Sequence, residues 1–117
     1  NHKPTGEEIR TLVMSWYNRQ TDAAILSGFT YNGASVWLSV ANQYNYKAAY
    51  DLAVQTGGET LPVTFKFGSD EHPEYHTFSR LDELKDFYTK AVRYIQKVLA
   101  EGWEKKDKFN LDLYRIK

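Results

Sequence analysis

The stretch Phe29-Thr30-Tyr31-Asn32-Gly33-Ala34-Ser35-Val36-Trp37-Leu38 decides the fold of this chain. Apolar and polar residues alternate on both sides of the Asn-Gly pair, as they do in paired β-strands. A two-residue type I′ turn needs positive φ at both central residues, and Asn and Gly tolerate it. The pattern predicts a hairpin with one mostly apolar face. Its facing pairs should be Tyr31 with Ala34, Phe29 with Val36, and Ser27 with Leu38.

The residues before this hairpin predict a first helix. Thr5-Gly6-Glu7-Glu8 fits a capping box, in which the Thr hydroxyl accepts from a backbone amide and the second Glu reaches back. Apolar residues then recur every three or four positions and fade into a polar stretch at 18–22. We expect these apolar residues to form the buried stripe of the helix: Ile9, Leu12, Val13, Trp16 and Tyr17.

A second helix is predicted after the hairpin. Ser39 can cap it, and Gly57-Gly58 can close it beyond about Gln55. Tyr46 and Tyr50 lie four residues apart among polar neighbours, so we expect them to share an exposed helix face. The packed side of the helix should draw on Tyr44, Ala48, Ala49, Leu52 and Ala53.

The second half of the chain predicts another hairpin and a long helix. Residues 63–67 alternate apolar and polar side chains with the period of a half-buried strand, and Tyr75–Phe78 can pair with them. Between the strands, Pro73 prevents a helix in a polar turn. A capping pattern at 79–82 starts the longest helix, which should end at Gly102 and leave 103–117 as a charged, irregular tail. Its wide apolar stripe comprises Leu81, Leu84, Phe87, Tyr88, Ala91, Val92, Tyr94, Ile95, Val98 and Leu99.

Together these elements predict a single α+β domain over residues 1–117, in the order helix, hairpin, helix, hairpin, helix. We expect the two antiparallel hairpins to form one small sheet packed with the three helices, with the core inside residues 5–102. The chain begins with Asn1 instead of Met, which favours a domain belonging to a longer polypeptide.

Four segments carry a resemblance to a known family: residues 29–38, the strand LPVTFKFG at 61–68, YHTF at 75–78, and the helical stretch 81–102. They resemble an uncharacterised domain family encoded in phages and prophages of gut bacteria of the Bacteroides group, often near tail or other virion genes. The resemblance covers about residues 9–102 and implies the same order of elements. The chain departs from the pattern at Ser39, where the family has Asp, and in a longer loop after Gly68. The family has no assigned catalytic residues, so the resemblance implies a fold and a setting but no reaction.

Composition excludes several classes of function. The chain has 15 basic and 15 acidic residues, so no overall field attracts nucleic acid or an anionic membrane. It has no cysteine, which excludes disulfides, cysteine nucleophiles and Cys-ligated zinc. No apolar run approaches the roughly 20 residues that span a bilayer, and no signal-peptide pattern opens the chain. We therefore expect a soluble protein without nucleic-acid or membrane partners.

The sequence offers few groups for catalysis. Residues 70–76, Asp-Glu-His-Pro-Glu-Tyr-His, carry carboxylates and imidazoles of the kind that bind zinc or a harder cation. Their spacing matches no metal motif, so we interpret them as a solvated loop, with a metal-dependent enzyme as the remote alternative. The chain lacks a nucleophile elbow and a phosphate loop, and nothing pairs two carboxylates for glycoside cleavage. We expect no catalytic residue, metal, cofactor or enzymatic activity.

Aromatic side chains are the more suggestive feature, with 3 Trp, 9 Tyr and 6 Phe. Tyrosine and tryptophan are favoured at interaction hot spots and stack on sugars. Phe29, Tyr31 and Trp37 can instead fill a small core, the interpretation we favour for the hairpin, since a compact domain needs large buried side chains. Trp37 nevertheless joins Tyr46 and Tyr50 as the candidate binding residues.

The sequence thus predicts a non-enzymatic structural or protein-interaction domain. We expect an accessory protein associated with the tail or virion of a phage or prophage, acting by contact with virion or tail proteins. It would work in the bacterial cytoplasm during phage assembly or in the virion. The sequence also leaves open the possibility that the chain forms homo-oligomers. The alternative is a carbohydrate-binding module that uses exposed aromatic side chains.

Overall fold

The computed structural model describes residue 3 and residues 5–116, with side chains of residue 3 and residues 5–113. Its α+β architecture confirms the predicted order of elements. The elements are α1 (Gly6–Ser27), β1 (Phe29–Tyr31), β2 (Ala34–Val36), α2 (Val40–Gln55), β3 (Val63–Gly68), β4 (Pro73–Phe78) and α3 (Leu81–Ile116). None of the described helices is both long and apolar enough to cross a lipid bilayer.

The first hairpin forms around the predicted turn. Asn32 and Gly33 have φ of 51° and 81°, which are the positive values that a type I′ turn requires. Phe29 faces Val36 and Tyr31 faces Ala34, as predicted. The predicted pair of Ser27 and Leu38 is wrong, because Ser27 ends α1 and the Leu38 amide donates to the Leu26 carbonyl at 3.1 Å.

The second hairpin pairs β3 with β4 antiparallel, from Val63 opposite Phe78 to Gly68 opposite Pro73. The prediction of one sheet is wrong, since the two hairpins form separate two-stranded sheets. β1 and β2 have only three residues each, and β2 lies beside β3 without a hydrogen-bonded ladder. The hairpins meet through their side chains instead.

Aromatic rings fill the core, and Phe87 of α3 lies at their centre. Phe87 is fully buried, and six rings surround it with centroid separations of 5.0–6.4 Å. These rings come from both hairpins and from α2: Phe29, Tyr31, Tyr46, Phe65, Phe67 and Phe78. The predicted apolar stripe of α3 is confirmed here, because Leu84 and Ala91 are buried beside Phe87.

The third helix does not end at Gly102, and residues 103–116 are helical instead of an irregular tail. Gly102 lies where α3 passes α1, and a side chain there would collide with Thr21. The glycine permits this close approach and does not close the helix. Antiparallel contacts continue along both helices, from Tyr94 with the Ala24 carbonyl to Arg10 with Asn110. We call α1 together with residues 94–113 of α3 the arm.

The first helix begins as predicted, since the Thr5 hydroxyl accepts from the Glu8 amide at 3.1 Å. Its predicted buried stripe is wrong. Ile9, Leu12 and Trp16 are 41%, 67% and 49% exposed, and α1 has no fully buried residue. The reason is that α1 meets α3 through a neighbouring face, on which Tyr17 contacts Phe109 and Thr21 abuts Gly102.

Candidate functional site

Tyr46 does not lie on the surface, so its predicted exposure is wrong. It is 5% exposed, and its ring lies 4.8 Å from Phe65 and 5.0 Å from Phe87. Burial raises the pKa of its hydroxyl. The inward face of α2 includes Tyr46, Ala49, Tyr50 and Ala53, at spacings of three, four and seven residues. That periodicity is a signal that could have identified this face, but the sequence-based prediction assigned Tyr46 and Tyr50 to the exposed side.

The other two predicted binding residues have intermediate positions. Tyr50 is half-buried and stacks on Tyr88 with centroids 4.9 Å apart and planes 19° apart. It therefore joins α2 to α3, which corrects the expectation that it lies on an exposed face. Trp37 is 50% exposed, whereas its hairpin neighbours Phe29 and Tyr31 are buried. The core interpretation is confirmed for Phe29 and Tyr31 but not for Trp37.

The strongest candidate site is an apolar groove between α2 and α3, which we call the α2–α3 groove. It has a volume of about 280 Å³. Val40 and Tyr44 of α2 form one rim and are 82% and 74% exposed. Tyr44, predicted to belong to the packed side, is thus the exposed tyrosine of this helix. The lining side chains are Leu38, Val40, Gln43, Tyr44, Tyr46, Lys47, Tyr88, Ala91, Val92 and Ile95.

The floor of the groove continues along α3 onto the arm. Leu99 and Trp103 follow Val92 by seven and eleven residues, so all three lie on one face of the helix. Val92 and Leu99 are half-buried, and Trp103 is 57% exposed. Eleven residues of helix correspond to roughly 16 Å. The apolar surface is therefore long enough to contact several turns of a partner helix.

Two of the polar side chains that line the groove are engaged within the chain. Lys47 donates to the Asp51 carboxylate at 2.6 Å, and this bond raises the pKa of the lysine. The Gln43 amide donates to the Leu38 carbonyl at 2.8 Å. The rest of the lining is apolar apart from the hydroxyl groups of Tyr44, Tyr46 and Tyr88. Such a lining can contact an apolar surface of another molecule.

A second concave region lies between the two hairpins, and we call it the hairpin cleft. Its volume is about 870 Å³, and its lining includes Trp37, Asn42, Lys66, Asp70 and His72. Lys66 and Asp70 form an ion pair at 3.2 Å. The cleft thus combines a half-exposed indole with hydrogen-bonding and charged groups.

The predicted metal-type residues of the 70–76 loop are dispersed. His72 precedes β4, whereas His76 lies in that strand with its ring 4.4 Å from Phe78 and 5.8 Å from Tyr31. Within the described part of the chain, no group of three or more His, Asp or Glu side chains is close enough to hold a metal ion. The absence of a resident metal stays a prediction.

A polar network that no sequence pattern predicted fixes the first hairpin to α3. The Tyr31 hydroxyl donates to the Asp86 carboxylate at 2.8 Å, and Lys90 pairs with that carboxylate at 3.0 Å. Burial, followed by the bond to Asp86, raises the pKa of Tyr31 to about 12. Hydrogen bonds from Lys90 and Tyr31 lower the pKa of Asp86. The phenol stays protonated near neutral pH, so this network is an anchor and not a source of a phenolate nucleophile.

Comparison with protein families matches residues 8–116 to the family described as "Domain of unknown function (DUF4376)". The match covers most of the chain, which therefore belongs to this family. No curated protein and no solved structure matches the chain. The expectation of an uncharacterised domain family is confirmed at this level.

Proposed function

We propose that this DUF4376 domain is a non-enzymatic protein-interaction domain whose α2–α3 groove receives an apolar helix of a partner protein. The observation that carries the proposal is the exposure of Val40 and Tyr44, at 82% and 74%, on the rim of an apolar groove. Exposed apolar side chains scattered singly are ordinary, whereas these two border one concavity whose floor is also apolar.

Burial of these side chains under a partner supplies the driving force. Apolar area removed from water contributes about 25 cal/mol per Å², and tyrosines are frequent hot spots because they carry large area with little rotamer entropy. The straight floor along α3, from Val92 to Trp103, suits a helix lying along it. Anchors at positions i, i+3, i+4 and i+7 of the partner would fill such a groove.

The resemblance to phage and prophage proteins supplies the proposed setting. We take the domain to be an accessory protein associated with the tail or virion, contacting other tail or virion proteins. It acts in the bacterial cytoplasm during phage assembly or in the virion. An apolar groove that a partner fills during assembly agrees with this role.

The test uses titration calorimetry to measure the affinity of the chain for purified tail and virion proteins whose genes lie beside its own gene. Tyr44→Ala should weaken the complex by more than about 1 kcal/mol, as expected of a hot spot. The matched control is Tyr75→Ala, since Tyr75 is 68% exposed on β4 and does not line the groove. Equal affinities of wild type and Tyr44→Ala for the bound partner would contradict the groove as the contact surface.

Carbohydrate binding in the hairpin cleft is the second candidate. The half-exposed Trp37 lines the same cleft as Asn42, Asp70 and His72, and an indole face together with polar groups is the chemistry that holds a sugar. A glycan array tests this function, with Trp37→Ala as the variant and Trp103→Ala as the control outside the cleft. Glycan binding that survives Trp37→Ala, or no binding by wild type, would rule against the cleft.

A further inference from the structure

We infer that the arm is a self-association element, in which two copies of the chain pair their arms antiparallel about a twofold axis. The inference concerns a surface other than the α2–α3 groove and does not rest on the function proposed for it. Three observations carry it: the exposed stripe on α1, the order of charges on the adjacent face of α3, and the size of the arm.

The first observation is the seam on α1. Ile9, Leu12 and Trp16 are each at least 41% exposed, although an isolated amphipathic helix face of this kind is normally covered. The positions continue with alternating steps of three and four residues, the spacing of the seam in a two-stranded coiled coil. The complete seam is Ile9, Leu12, Trp16, Arg19, Ala23 and Leu26.

This seam is complementary to itself when a second copy runs in the opposite direction. Ile9 then faces Leu26 of the second copy, and Leu12 faces Ala23. Trp16 faces Arg19, so the central layer places a guanidinium over an indole, which is the preferred cation–π pair. The one charged residue of the seam thus meets the ring that accommodates it.

The charges on α3 support the same register independently. Lys97, Glu101, Lys108 and Asp112 line the same groove as Trp16, so they lie beside the central residue of the seam. Contacts of Asn18 with Lys106 and of Thr21 with Gly102 align α3 with α1. The twofold axis that passes between Tyr17 and Asn18 therefore crosses α3 close to Lys105.

Of the five charged residues that line this groove, four meet opposite charges about that axis, and Lys105 lies at the axis itself. Lys97 lies opposite Asp112 of the second copy, and Glu101 lies opposite Lys108. Because the axis is twofold, each pair occurs twice. Seam and charges thus agree on one alignment, whereas a copy shifted by one helical turn would juxtapose like charges and lose the layer of Trp16 with Arg19.

The size of the arm meets the requirement of a specific dimer. The 22 residues of α1 extend about 33 Å, and two adjacent helices are about 20 Å wide. Their common face therefore covers roughly 660 Å² per copy, within the roughly 600–1,000 Å² per partner of standard interfaces. Packing two such faces produces a four-helix bundle with the hairpin-bearing regions at opposite ends.

The test uses the cysteine-free chain itself as a background for disulfide trapping. The double variant Leu12→Cys/Ala23→Cys should form a covalent dimer under mild oxidation, because the two positions face each other between copies. The two positions are about 16 Å apart along one helix, so a bond within one chain is excluded. The single variants Leu12→Cys and Ala23→Cys are the controls and should cross-link at least about tenfold more slowly. Equal rates for single and double variants would overturn the register.

Sedimentation equilibrium at protein concentrations up to about 100 µM, well above a micromolar Kd, measures association of the unmodified chain. A dimer is expected. Glu101→Lys should lower the association constant about fivefold or more by placing lysine opposite Lys108, and adding Lys108→Glu should restore it. Trp103→Ala, outside the seam, should leave it unchanged. A wild-type monomer at every concentration, or a double charge variant as weak as the single one, would overturn the inference.

Discussion

The two halves of α3 differ in how they pack, although they belong to one continuous helix. In residues 81–98 the inward side chains include the fully buried Leu84 and Phe87, and Phe87 lies among six rings. In residues 99–113 only Gly102 is buried, and long polar side chains reach across to α1. This difference indicates that the packing around Phe87 supplies most of the stability of the fold. The arm has fewer apolar contacts, so whole faces of it are available for contact with other molecules.

The largest expected effect comes from the core half. Phe87→Ala removes the ring on which both hairpins and α2 converge, and it should lower the free energy of unfolding by about 3–5 kcal/mol. Urea denaturation followed by circular dichroism measures this. The control is Trp103→Ala in the arm half, whose ring is 57% exposed and should contribute within about 1 kcal/mol. Comparable losses for the two variants would remove the distinction between the halves.

A smaller effect is expected where the arm is most tightly packed. Gly102→Val places a branched side chain against Thr21 and should cost about 1–3 kcal/mol by forcing the helices apart. Thr21→Gly in the same chain should recover part of this loss, because it removes the colliding side chain. The same denaturation assay, applied to both single variants and the double variant, gives the free energy of coupling between the two substitutions. Strict additivity would show that Gly102 does not act through this contact.

The smallest effect is expected at the anchor of the first hairpin, and it depends on pH. Tyr31→Phe removes the bond to Asp86 and should cost about 1 kcal/mol near neutral pH. The folded pKa of Tyr31 is about 12, against an ordinary value near 10. The contribution of the Tyr31 hydroxyl to the free energy of unfolding is therefore complete below pH 10 and is lost as the pH rises from 10 to 12.

Denaturation at pH 9, 10 and 11 measures this dependence. Wild type should lose stability more steeply than Tyr31→Phe over that interval, so the two stabilities should converge. Parallel declines in the two proteins would show that Tyr31 ionises in the folded state as readily as in the unfolded chain. In that case the hydrogen bond to Asp86 would not anchor the hairpin.

Local signals in the sequence were sufficient for the turn and the order of elements. Asn32-Gly33 determines its own backbone conformation, because few other residues accept positive φ there. The alternation at Val63, Phe65 and Phe67 likewise placed β3. In both hairpins the register follows from residues close in sequence. Whether the two hairpins join into one sheet depends on contacts between residues distant in sequence, and the prediction of one sheet was wrong.

Periodicity identified helix faces but not the neighbours of those faces. On α1, Leu12 and Trp16 form a regular apolar stripe, yet α3 packs beside it against Tyr17 and Thr21. On α2, two apolar stripes compete, and the one that contains Tyr46 packs inward. Gly102 gave an ambiguous local signal, since glycine both ends helices and permits close helix contacts. These choices depend on tertiary packing, so the candidate site became visible only in the structure.

The most direct test of the division of α3 is amide hydrogen exchange of the full chain at two protein concentrations, one below and one above the dissociation constant of the arm dimer. We predict slow, concentration-independent exchange in β3, β4 and residues 84–98 of α3. We also predict faster exchange in α1 and residues 103–113, slowing when the concentration rises. Equal protection of the core, of α1 and of residues 103–113 at both concentrations would contradict this division.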